Sequence, residues 1–66
     1  MSTFFDTLQV GDTILTRETQ GSPWELAKVV MKEGNDITFE NEFGEISTNR
    51  EEVNELDYFR PRNIAS

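Results

Sequence analysis

The sequence predicts an all-β domain: a small barrel of about five short strands, with one short helical turn before the last. Three observations predict it. Turn signals at Gly11-Asp12, Gly21-Ser22-Pro23, Gly34-Asn35-Asp36 and Gly44 cut the chain into short pieces. The pieces carry β-branched and aromatic residues, in places alternating with polar ones. With 66 residues there is room for one domain, which buries only about 60% of the surface its unfolded chain exposes, so the core must be small. We take 1–66 as that domain, with 1–9 as a lead-in and 62–66 as a fraying tail.

The elements follow in order. In "TFFDTL" (3–8), Phe4 and Phe5 either cap the open end of the barrel, which is the expectation, or form an exposed patch that makes a homodimer reasonable. "DTILTRE" (12–18) sets Ile14 and Leu15 among threonines and reads as a strand. "WELAKVVMKE" (24–33) admits two readings. As a long, bent strand it puts Ala27, Val29 and Met31 on one face and Trp24, Leu26 and Val30 on the other. As an amphipathic helix it would be capped by Ser22, with Pro23 at its first position.

"DITFENEF" (36–43) places Ile37, Phe39 and Phe43 inward and Thr38, Glu40 and Glu42 outward, after a hairpin turn at Gly34-Asn35-Asp36. "GEISTN" (44–49) returns as a shorter strand. "REEVNEL" (50–56) spaces Val53 and Leu56 as one helical turn would, and "DYFRP" (57–61) closes the domain as a strand stopped by Pro61.

This order resembles the SH3-like small barrel, and within it the Tudor-like pattern. The resemblance is carried by "VGDTILTRE", "WELAKVV", "DITFEN" and "EISTNREEVNEL", which together cover most of positions 10–56. It rests on spacing. There is no "ALYDY"-type stretch, so a proline-peptide groove is not implied, and no basic, glycine-rich loop of the kind found in nucleic-acid-binding relatives. The Tudor-like resemblance implies an alternative function: reading a cationic or methylated side chain in an aromatic cage, since ring faces attract positive charge. The available rings are Trp24, Phe39, Phe43, Tyr58 and Phe59, with Glu25, Glu42 and Asp57 nearby in sequence. Because Phe39 and Phe43 have inward parity, Trp24 and Tyr58 are the candidate anchors.

Charge sets the main functional expectation. The net charge is -7, and it is concentrated in the second half. Residues 39–57, "FENEFGEISTNREEVNELD", hold seven carboxylates against one arginine. Direct nucleic-acid binding is therefore disfavoured, because it depends on cations that displace counterions. The candidate partner-binding residues are Glu40, Glu42, Glu45, Glu51, Glu52, Glu55 and Asp57, facing a protein with a basic surface. On a strand, Glu40 and Glu42 would stand about 6.5–7 Å apart, near twice the nucleotide rise, so the surface could imitate phosphates and block a nucleic-acid-binding protein. The same excess of acid also serves simple solubility.

Enzymatic activity is not expected. With no His and no Cys, the usual general base, thiol nucleophile, disulfide and Cys/His zinc site are all absent. The pairs Glu51/Glu52 and Glu40/Glu42 read as solvated, and no calcium-loop pattern surrounds them, so no catalytic residue, metal or cofactor is assigned. No signal-like stretch or membrane-length apolar run occurs, so a soluble cytoplasmic protein is expected. The expected function is that of a small acidic regulator or inhibitor, of a type suited to phage or other mobile elements.

Overall fold

The computed structural model describes residues 2–62. In chain order the elements are α1 (Phe4–Thr7), β1 (Thr13–Thr16), β2 (Glu25–Glu33), β3 (Asp36–Asn41), β4 (Gly44–Asn49), α2 (Arg50–Glu55) and β5 (Phe59–Pro61). All five strands are antiparallel in one sheet ordered β4-β3-β2-β1-β5. The edges β4 and β5 do not pair, so the sheet is not closed.

The sheet is nonetheless strongly curled. β3 and β5 are three strand positions apart, about 14 Å if the sheet were flat. Yet the rings of Phe39 on β3 and Phe59 on β5 stack with centroids 5.2 Å apart. The concave face therefore wraps around one core of Phe5, Leu8, Ile14, Ala27, Val29, Ile37, Phe39, Val53 and Phe59. Full burial of a residue such as Phe39 stabilises by about 1.5–3 kcal/mol.

Residues 25–33 form a strand, which settles the two readings of that segment. The helix-start signal is used elsewhere. Ser22 closes a turn instead, its N–H donating to the Thr19 carbonyl at 3.0 Å and its hydroxyl lying 2.7 Å from that of Thr19. β2 then pairs with both β1 and β3, which satisfies its backbone on both sides.

The expected common face of Ala27, Val29 and Met31 is broken. A β-bulge between Val29 and Met31 inserts one residue and reverses the alternation, so Met31 is 48% exposed and Lys32 faces inward opposite Ile37. Lys32 is received there by α1. Its Nζ donates to the carbonyls of Phe5 and Leu8, each at 2.8 Å, and lies 4.5 Å from the centroid of the Phe5 ring.

The lead-in is thus a short helix. Thr3 caps it in a reciprocal capping box with Asp6. Phe5 is fully buried and Phe4 packs against the core, so the pair caps the core and forms no exposed patch.

Phe43 corrects a second expectation. β3 ends at Asn41, and Glu42 and Phe43 form a two-residue turn in which the Phe43 N–H donates to Asn41 Oδ1 at 2.8 Å. Phe43 is consequently 71% exposed and not part of the core. Gly44, which follows at φ +133°, holds a conformation that other residues resist.

β4 occupies 44–49 as expected. Asn49 caps α2 by accepting from the Glu52 N–H, and Leu56 ends it in a left-handed conformation. Val53 is buried and Leu56 is 43% exposed. β5 begins at Phe59, two residues later than expected. Of the expected tail, 63–66 lie outside the described residues.

Candidate functional site

The unpaired edges leave a seam. α2 packs against both β4 and β5, and beside it a cleft of about 320 Å³ opens between β4 and the β1–β5 side of the sheet. Its apolar lining is Ile46, Tyr58 and Phe59, of which Phe59 is buried and the other two are half-buried. Thr16 lies among them and is 2% exposed. Three carboxylates, Glu18, Glu25 and Glu52, line the same cleft.

Hairpin pairing brings these groups together. Thr16 on β1 stands opposite Glu25 on β2, so the two ends of the β1–β2 loop meet at the cleft. Glu52 arrives from the first turn of α2 and accepts a hydrogen bond from the Thr48 hydroxyl.

The cations are mostly committed within the fold. The guanidinium carbons of Arg17 and Arg60 lie 4.4 and 4.6 Å from the Trp24 ring centroid, and Arg17 Nε donates to the Asp57 carbonyl at 2.8 Å. Lys32 serves the α1 carbonyls. Arg50 lies 4.5 Å from the Phe5 centroid, donates to Asn35 Oδ1 at 2.9 Å, and pairs with Asp6 at 2.5 Å. The Arg50 hydrogen bond, helped by the Thr3 backbone N–H, lowers the Asp6 pKa from 3.8 to about 2. No other carboxylate forms an ion pair among the described residues.

The seven expected partner-binding carboxylates spread over several surfaces. Glu40 on β3 stands between Lys28 on β2 and Glu45 on β4. Glu42 sits in the β3–β4 turn, near Glu25 and Leu26. The expected strand spacing of Glu40 and Glu42 is therefore not formed. Glu51 and Glu55 flank a separate hollow beside Asn35 and Arg50. Glu52 lines the seam cleft, and Asp57 is exposed between α2 and β5.

Of the two expected aromatic anchors, Tyr58 lines the cleft and Trp24 does not. Sequence reasoning missed Glu18, and took Glu25 only as a neighbour of Trp24. The available signal was the β1–β2 hairpin: its register sets Glu25 opposite Thr16, and Glu18 follows Thr16 by two residues in the loop, beside the same cleft.

No protein-family model, curated protein or solved structure matches this chain. No helix among the described residues is long and apolar enough to cross a membrane, and no group of three or more His, Cys, Asp or Glu among them is placed to hold a metal ion.

Proposed function

We propose that this protein is a small, non-enzymatic acidic binding protein that regulates or inhibits a protein partner through its carboxylate-rich surface. The observation that carries this reading is the separation of charge. Arg17, Lys32, Arg50 and Arg60 are held against rings and carbonyls, while every carboxylate but Asp6 is without an ion pair among the described residues. A surface left in this state attracts a basic partner over distances of about a Debye length. A nucleic-acid-binding protein is the partner class with the most suitable surface.

We further propose an SH3-like barrel with an open seam as the fold. The strand order and the helical turn between β4 and β5 support that reading. Trp24, one of the two expected anchors, is not free to serve an aromatic cage, because its ring already carries Arg17 and Arg60.

Capture from cell lysate tests the function. The native chain and a Glu42→Lys/Glu45→Lys variant, neither position facing Lys28, serve as baits at low and moderate salt. Retention of one dominant basic protein, lost with salt and from the variant, is the expected result. Equal retention by both baits would refute a role for the acidic surface.

A further inference from the structure

We propose that the seam cleft is a receptor for one arginine side chain presented by a partner protein. This rests on the basic-partner reading for the source of the arginine, but it names a site that the acidic stretch 39–57 alone does not define. Two of its three carboxylates, Glu18 and Glu25, lie outside that stretch.

Size, lining and an unused polar group lead to this assignment. At about 320 Å³ the cleft sits at the low end of ligand pockets, which suits a single side chain. Ile46, Tyr58 and Phe59 supply apolar and aromatic surface for an alkyl stem and a flat cation, while Glu18, Glu25 and Glu52 supply acceptors.

Thr16 provides an independent indication. It is 2% exposed, and its hydroxyl forms no hydrogen bond among the described residues. No fully occluded polar side-chain atom among those residues lacks a partner, so the Thr16 hydroxyl keeps some residual access, and Thr16 is among the residues that line the cleft. A hydroxyl without a protein partner beside a cleft can accept from a ligand N–H there, as well as donate.

Arg17 is the cation that also lines the cleft. Its guanidinium is held by the Trp24 ring and the Asp57 carbonyl, and it forms no ion pair with any of the three carboxylates. Arginine is preferred to lysine because its planar fork engages carboxylates two at a time and stacks on aromatic rings.

The test is an NMR titration of the ¹⁵N-labelled full chain with N-acetyl-arginine-amide, and with the lysine and glutamine analogues. Saturable shifts centred on Thr16, Ile46 and Tyr58 are expected in the millimolar range, several-fold tighter for arginine than for lysine, with none for glutamine. Glu25→Gln/Glu52→Gln should weaken arginine binding by about tenfold or more. Glu51→Gln/Glu55→Gln, the same change of charge beside the other hollow, should leave it within about twofold.

Equal weakening by both pairs, shifts spread evenly over the acidic surface, lysine binding as tightly as arginine, or no saturable shift would each overturn the proposal. Unchanged amide spectra away from the substitutions verify that the variants are folded. Because the probe is an amide, the two readings separate. Arginine binding without any captured basic protein leaves the cleft standing and removes the proposed partner. Capture without arginine binding does the reverse.

Discussion

Reversing the charge at Glu45 should stabilise this protein. Glu45 on β4 stands directly opposite Glu40 on β3, and Glu40 has Lys28 on its other side. Like charges in directly opposed positions are destabilising, by roughly 0.2–1 kcal/mol. With charged groups about 6 Å apart in water, Coulomb's law gives about 0.7 kcal/mol of repulsion before screening and about half that at physiological salt. Glu45→Lys replaces the repulsion with attraction and leaves Lys28 two strands away, about 10 Å, where screening is strongest. After allowance for side-chain ordering, the net gain at low salt is about 0.5–1 kcal/mol. For a domain of this size that corresponds to a rise of about 3–6 °C in Tm. Thermal and urea denaturation at 20 mM and 0.5 M NaCl would read it, with Glu45→Gln giving about half the gain. A loss of stability, or a gain that persists undiminished in high salt, would refute the electrostatic reasoning.

Three further outcomes follow from the same structure. Lys32→Met keeps the alkyl stem but leaves the carbonyls of Phe5 and Leu8 without their donor, and should cost about 1–3 kcal/mol in urea unfolding. Phe43→Ser should change stability by no more than about 0.5 kcal/mol, because the ring is exposed, whereas Phe39→Ala should cost about 3–5 kcal/mol and leave little folded protein. The Asp6 pKa is depressed in the folded state, so its contribution to stability is present above 3.8 and is lost as the pH falls towards about 2. Asp6→Asn should therefore remove that part of the acid sensitivity, read as the difference in urea midpoint between the two proteins across this window.

The strands were legible because their signals are local. β4 at 44–49 lies between Gly44 and the Asn49 cap, and Ile37 and Phe39 keep the period of two that β3 requires. What escaped were features decided by pairing. Phe43 has the parity of Phe39, but the Asn41 side chain and Gly44 close the turn before the strand reaches it. The bulge at Val29/Met31 has no marker in "AKVVMK", and it alone turns Lys32 inward. α1 is four residues long and depends on its tertiary partners, the Asn54 side chain at the Phe5 N–H and Lys32 at its C-terminal carbonyls. The seam cleft was hidden for the same reason, since its lining comes from five strands and α2 and becomes contiguous only when the sheet curls.

The disposition of cations bears on what the acidity is for. A domain selected only for solubility does well with both signs interspersed, because neighbouring charges of opposite sign lower self-repulsion. Here Arg17 and Arg60 both lie over an indole and Lys32 serves a helix end, and none of the three forms an ion pair with a carboxylate among the described residues. Glu40 and Glu45 are set face to face across two strands, at a cost to stability that one substitution would remove. A stabilising Glu45→Lys exchange that also abolishes partner capture would tie that cost to binding. A stabilising exchange that leaves capture intact would mean that the repulsion serves nothing at this surface.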